Sequence, residues 1–245
     1  MNINEIEPIH INRLDPVQLT KLLHNLLKIE LRNNKLSGEA FVPYNINTGD
    51  EGDDGRIEWN GGPEETFWLK KRLCLFQNKA TNLSEGNCYN ELLRKPKDGE
   101  PKTLKILIAD LVKKNGCYTL FTNQMYNKIE KDRRIARFRE AIKDCGYANH
   151  ETLVIKIYDA NSISSWVNED IGSVALVQKF NGITRIPFTI WQDWAKSFPG
   201  INIKFFRDDL TNERIKIIQD SAKKGKPIRI IGHSGLGKMY NVNKK

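Results

Sequence analysis

Three stretches of the chain bring together residue types that can hold a divalent cation and activate water. Asp54 is the last acid of the loop Gly49-Asp50-Glu51-Gly52-Asp53-Asp54-Gly55 and opens directly into a strand-like run, Arg56 to Trp59. A sheet edge would hold that carboxylate rigidly, whereas the loop itself fits no EF-hand, lacking the ligand spacing and the closing Glu. Further on, Leu73 to Ala80 reads as a buried strand in which Leu73, Leu75, Gln77 and Lys79 share one face by period two. It ends in an amide and an ammonium group beside the presumed position of Asp54. Glu30 is the third candidate. It lies eleven residues after Leu19, about 1100° of helix, within roughly 20° of a leucine stripe, so its carboxylate is aimed toward the core. A carboxylate there needs a partner or a metal. Plainer readings stand beside each: a helix end reaching solvent for Glu30, a solvated acidic turn around Asp54, and an edge strand running into water for Gln77 and Lys79.

A second chemical signature lies near the end of the chain. Gly232-His233-Ser234-Gly235-Leu236-Gly237-Lys238 satisfies G-x-x-x-x-G-K directly after the strand-like Pro227 to Ile231. Such a loop cradles phosphate with backbone N–H groups, and Lys238 would reach the outer phosphates. Met239 stands where a Ser or Thr would hold Mg²⁺, and only seven residues follow Lys238. We read it as the start of an NTPase domain whose remainder is absent, and ATP binding by this chain is not expected.

The elements that must position these groups are legible in outline. Asp15 caps a helix from about Pro16 to Arg32, with Pro16 at its first position and Gln18 completing a capping box. Leu19, Leu22, Leu23, Leu26 and Leu27 form its buried face. Strands are expected at Ala40 to Ile46, Arg56 to Trp59, Leu73 to Ala80, Cys117 to Thr122, Leu153 to Tyr158 and Pro227 to Ile231. Helices are expected at Leu104 to Lys114, Asn127 to Asp144, from Ile163, at Trp191 to Ser197 and over 211–223. The alternation gives an α/β or α+β class with a central sheet.

Composition narrows the classes. The 245 residues carry 39 Lys+Arg against 30 Asp+Glu, and residues 196–245, with 12 and 4, hold +8 of the net +9. The basic surplus is thus a property of the C-terminal section. Lys128, Lys131, Arg133, Arg134, Arg137, Arg139 and Lys143 crowd one helix, but Glu130, Asp132, Glu140 and Asp144 interleave them, as on a solvated salt-bridged face. Phosphate contact beside the active site is the alternative. Cys74, Cys88, Cys117 and Cys145 and the scattered histidines His10, His24, His150 and His233 show no zinc or redox spacing. Trp166, Trp191 and Trp194 read as packing residues. No run approaches the roughly 18 apolar residues of a membrane span, and no secretory signal opens the chain, so a soluble, cytoplasmic protein is expected.

The order Glu30 on the first long helix, Asp54-Gly55 before a strand and Gln77-x-Lys79 on the next resembles the PD-(D/E)xK nucleases. The likeness is to the Mrr-like branch, in which Gln can replace the second motif acid. LLHNLLKIEL, GDDGRIEW, FQNKA, GCYTLFTNQ and IYDANSISSWVNE are similar to the N-terminal effector domain of bacterial antiviral STAND NTPases over about residues 15–200. The resemblance implies a restriction-endonuclease-like α/β domain over residues 1–200. Residues 201–245 would then be a linker and the start of a P-loop NTPase domain. It further implies Mg²⁺ (or Mn²⁺) held by Glu30, Asp54 and Gln77, with Lys79 orienting water, and cleavage of double-stranded DNA with little sequence preference. A homo-oligomer is implied in the full-length context. Two rivals remain: a DNA-binding or oligomerisation module without cleavage, and a regulatory remnant acting on a full-length partner.

Overall fold

The computed structural model describes residues 5–43, 54–94, 101–148, 150–183, 213 and 215–220. The chain divides into two compact units, Met1–Arg185 and Ile186–Lys245. In the second unit, residue 213 and residues 215–220 are helical. The boundary expected at 200/201, the acidic residues before Asp54, Trp191, Trp194, the strand Pro227 to Ile231 and the Gly232, Gly237 and Lys238 loop lie outside the described residues.

The first unit is α/β. A five-stranded mixed sheet runs in the order β1 (Ser37–Phe41), β2 (Gly55–Asn60), β3 (Leu73–Lys79), β4 (Cys117–Thr122) and β5 (Val154–Tyr158). The β1–β2–β3 pairs are antiparallel, with Gly55 opposite Phe76 and Ile57 opposite Cys74. The β3–β4–β5 pairs are parallel, with Leu75 beside Tyr118 and Tyr118 beside Ile155. Parallel neighbours need crossovers, and these are α3 (Glu85–Glu91) with α4 (Ile106–Lys113), and then α5 (Lys128–Asp144). The other helices are α1 (Pro8–Asn12), α2 (Pro16–Asn33), α6 (Ala160–Asn168) and α7 (Ile171–Phe180).

Period two in the strands separates two cores. Cys74, Phe76, Cys117, Phe121 and Tyr158 pack with α1, α2, α6 and α7. Leu75, Tyr118, Leu120, Ile155 and Ile157 pack with α3, α4 and α5. The helix α2 forms as its sequence requires. The Asp15 side chain accepts from the Gln18 amide at 2.8 Å, and the Gln18 side chain accepts from the Asp15 amide at 3.1 Å. Its five stripe leucines are fully buried, each worth about 1.5–3 kcal/mol relative to exposure. Trp166 is also a packing residue, stacked on Trp68 with ring centroids 5.1 Å apart.

The helix layer over the second core stops at β3. Along β2 the residues Gly55, Ile57 and Trp59 are buried, while Arg56, Glu58 and Asn60 face solvent. Arg56 pairs with Leu75, so this open strip continues the face that α3–α5 cover further along. The chemistry-bearing residues sit at that border.

Candidate functional site

Asp54 immediately precedes Gly55, and because Gly55 pairs with Phe76 the antiparallel register sets Asp54 against Gln77. Gly55 itself is tightly enclosed: a Cβ there would lie 3.1 Å from Leu23 Cδ2, so α2 fixes the height at which β2 starts. Asp54 Oδ2 accepts a hydrogen bond from Gln77 Nε2 and another, 2.9 Å long, from the Asn78 amide. Gln77 is buried, and its Oε1 has no hydrogen-bond partner among the described residues. Burial pushes the Asp54 carboxyl above the ordinary carboxylate range, and the Asn78 amide and Lys79 only partly oppose it.

Period two then splits the strand end as the sequence predicts. Asn78 turns to the α2 side, where its Nδ2 donates to Thr20 Oγ1 at 2.7 Å. Lys79 turns to the other side, where its Nζ lies 3.3 Å from Glu91 Oε1 at the end of α3. The same oxygen receives Lys105 Nζ at 3.2 Å. Lys105 is brought there by a short antiparallel contact: Leu93 bridges Leu104, and the Lys105 amide donates to the Leu92 carbonyl at 2.9 Å. Tyr118 is fully buried on the same side of the sheet, and its hydroxyl has no partner among the described residues. Burial, with the charges of Glu91 and Asp54, pushes that phenol strongly upward.

The structure therefore brings together Asp54, Gln77 and Lys79, and adds Glu91 and Lys105. It does not bring Glu30 to them, and this corrects the assignment of Glu30 to the metal set. Thr20 marks the level of Asn78 on α2; Glu30 lies ten residues further along, about 15 Å of helix. Its carboxylate is buried as expected, but it serves another contact: the Thr66 hydroxyl donates to Glu30 Oε1 while accepting from the Leu69 amide at 3.0 Å. Glu30 thus ties the 66–69 turn to the end of α2. Burial raises its pKa, and the donors Thr66, Trp68 and Asn34 pull against that while the nearby Glu169 adds to it. Helical periodicity gave its direction correctly and said nothing of its height.

Among the described residues, no three His, Cys, Asp or Glu side chains cluster in a way that could hold a metal ion. The donors on hand for a hard cation are the Asp54 carboxylate and the orphaned Gln77 Oε1, with Glu91 as the neighbouring acid. An oxygen-only pair of this kind suits Mg²⁺, which keeps several waters of its own. Gln77 turns Nε2 to Asp54, so a cation held by both would replace that hydrogen bond as the amide rotates to present Oε1, relieving the buried acid and the orphaned acceptor together.

The basic helix α5 resolves largely into structural contacts. Lys131 Nζ donates to the buried Asp159 at 2.7 Å. The Arg134 guanidinium lies 3.9 Å from the Tyr126 ring centroid and donates to the Leu83 carbonyl at 3.0 Å. Arg137 pairs with Glu140 on the surface. Neither Glu91 nor Lys105 carries a spacing signal. Comparison with protein-family models, curated proteins and solved structures finds no match to this chain.

Proposed function

We propose that the first unit is a metal-dependent endonuclease that hydrolyses phosphodiester bonds in double-stranded DNA. The observation that carries this reading is the pairing of Asp54, a buried carboxylate with a raised pKa, with the orphaned Oε1 of Gln77 beside it. Asp54 and Gln77 would hold Mg²⁺ or Mn²⁺, which when bound supplies Lewis acidity and offsets phosphate charge. Lys79 would hold the attacking water by hydrogen bond and stabilise charge as it develops on the phosphate. No helix among the described residues is long and apolar enough to cross a membrane, and the open strip along β2 leaves this side of the sheet accessible to a large substrate. The sequence resemblance supports a cytoplasmic role as the effector domain of an antiviral STAND protein, acting as a homo-oligomer. The test is nicking of supercoiled plasmid with Mg²⁺ or Mn²⁺, with and without forced dimerisation. Asp54→Ala and Lys79→Ala should each abolish it while the protein stays folded. Nicking by both variants at the wild-type rate would refute the assignment.

A second reading is favoured by one observation. Glu30 is committed to Thr66 rather than to Asp54, which leaves the cation with one carboxylate where the resemblance implies two. On that reading the fold is kept as a DNA-binding or oligomerisation module. DNA binding without nicking, in every divalent ion and in the dimerised form, would select it.

A further inference from the structure

Lys79 belongs to the proposed site by sequence; Lys105 does not, yet the two ammonium groups share one oxygen of Glu91, at 3.3 and 3.2 Å. One carboxylate bridging two lysines holds them at a spacing that suits a single small anion. The trio is also within reach of solvent: the side chains of Lys79, Lys105 and Glu91 are 28%, 21% and 16% exposed. Asp54 stands near enough to interact electrostatically with all three.

We infer that Lys79 and Lys105 form a phosphodiester-binding pair, and that Glu91 is the internal counter-ion which the phosphate displaces. The inference rests on the nuclease reading for the identity of the ligand, a backbone phosphate of DNA, but not for whether anything is cleaved. Non-bridging phosphate oxygens accept hydrogen bonds from ammonium groups, as Glu91 Oε1 accepts one from Lys105 while pairing with Lys79 in the free protein. With Glu91 in place the two lysines are balanced by its carboxylate and, less closely, by Asp54. Displacement of Glu91 leaves both lysines on the phosphate, so engagement of substrate and release of the acid are one event.

The test is binding of a short fluorescein-labelled DNA duplex in EDTA, where hydrolysis does not occur, over a series of salt concentrations. Lys105→Met, which keeps the apolar stem, should weaken binding about tenfold at low salt. It should also lower the slope of log affinity against log salt by about one phosphate contact. Glu91→Gln should tighten binding about threefold, and inorganic phosphate should compete less well against the Lys105→Met variant. Thermal melts run alongside identify any variant that is unfolded. If Glu91→Gln is unfolded, Lys105→Met decides the matter alone. An unchanged affinity and slope for Lys105→Met, weaker binding by folded Glu91→Gln, or no duplex binding by the wild type would each overturn the inference. Plasmid nicking is scored separately: absent nicking with the binding pattern intact refutes the nuclease and leaves the phosphate pair standing. Nicking with Lys105→Met binding like wild type does the reverse.

Discussion

Replacing Gln77 by Glu puts the proposed cation site under the most direct strain. The Gln77 side chain is 3% exposed and donates to Asp54 Oδ2. Gln77→Glu removes that donor, a hydrogen bond to a charged group worth about 1.5–3 kcal/mol. It also sets two carboxylates against each other, a repulsion of about 4 kcal/mol at 4 Å in a medium of effective dielectric constant near 20. Uptake of one proton by the pair limits the second contribution. We expect the variant to be less stable by about 3–5 kcal/mol at neutral pH in EDTA, a fall in Tm of roughly 10 °C for a unit of this size. The pair would bind a proton more tightly folded than unfolded, so its deficit shrinks as pH falls and grows as pH rises through the raised pKa. Mg²⁺ or Mn²⁺ at a hundredfold excess over Kd should return about 2.7 kcal/mol by mass action. Urea melts with EDTA, Mg²⁺ or Mn²⁺ across a pH series measure all of this. A variant as stable as wild type in EDTA, or one that no divalent ion rescues, refutes the placement of a cation between Asp54 and Gln77.

Further expectations concern groups outside the cation pair. Glu30→Gln should leave divalent-ion binding unchanged by calorimetry. Because the folded Glu30 pKa is raised, the wild type loses stability as pH rises from the ordinary Glu value through the folded one, and the variant should lack that loss in urea melts. Burial works to raise the Asp159 carboxyl, but the hydrogen bonds from Lys131, Asn161 and Ser162 hold it below the ordinary value. Its contribution is therefore present at neutral pH and lost as pH falls through the depressed pKa; Lys131→Met should destabilise by about 3 kcal/mol at pH 7 and by less in acid. Cys74, Cys88 and Cys117 are buried and Cys145 is half-buried. A thiol reagent should accordingly label Cys145 first in the native protein, and the others only on unfolding.

The sheet was the legible part of this fold. Buried strands fall where their apolar runs put them, Cys117–Thr122 above all, whereas the first strand lies at Ser37–Phe41, earlier than the expected Ala40 to Ile46. The capped leucine stripe of α2 also falls where expected. The crossover helix α3 escaped because its seven residues, EGNCYNE, carry no apolar repeat and form under a Ser84 cap against α5. With α3 unseen, Glu91 had no location, and Lys105, expected inside a helix from Leu104 to Lys114, instead stands at the N-cap of α4. Asp54 and Gln77 were joined correctly because an antiparallel neighbour converts sequence order directly into cross-strand contact. Glu30 was joined wrongly because an angle on a helical wheel leaves the distance along the axis free.

The reciprocal hydrogen bonds between Ile6 and Asn168, Ile6 N to Asn168 Oδ1 at 2.8 Å and Asn168 Nδ2 to Ile6 O at 2.9 Å, join positions 162 residues apart. Asn181 adds a bond to the His10 carbonyl at 3.0 Å. The first segment of the unit is thereby laid against its last two helices, and the unit is closed like a ring. A ring has no privileged opening. Connecting the two ends by a short linker and cutting elsewhere, for instance at the exposed turn of Gly146 between α5 and β5, should give a circular permutant with the same sheet. Removing the first dozen residues, by contrast, would strip Ile6 and Ile11 from the core, leave Asn168 without its two bonds to Ile6 and take the His10 bond from Asn181. The unit is thus more tolerant of reordering than of shortening.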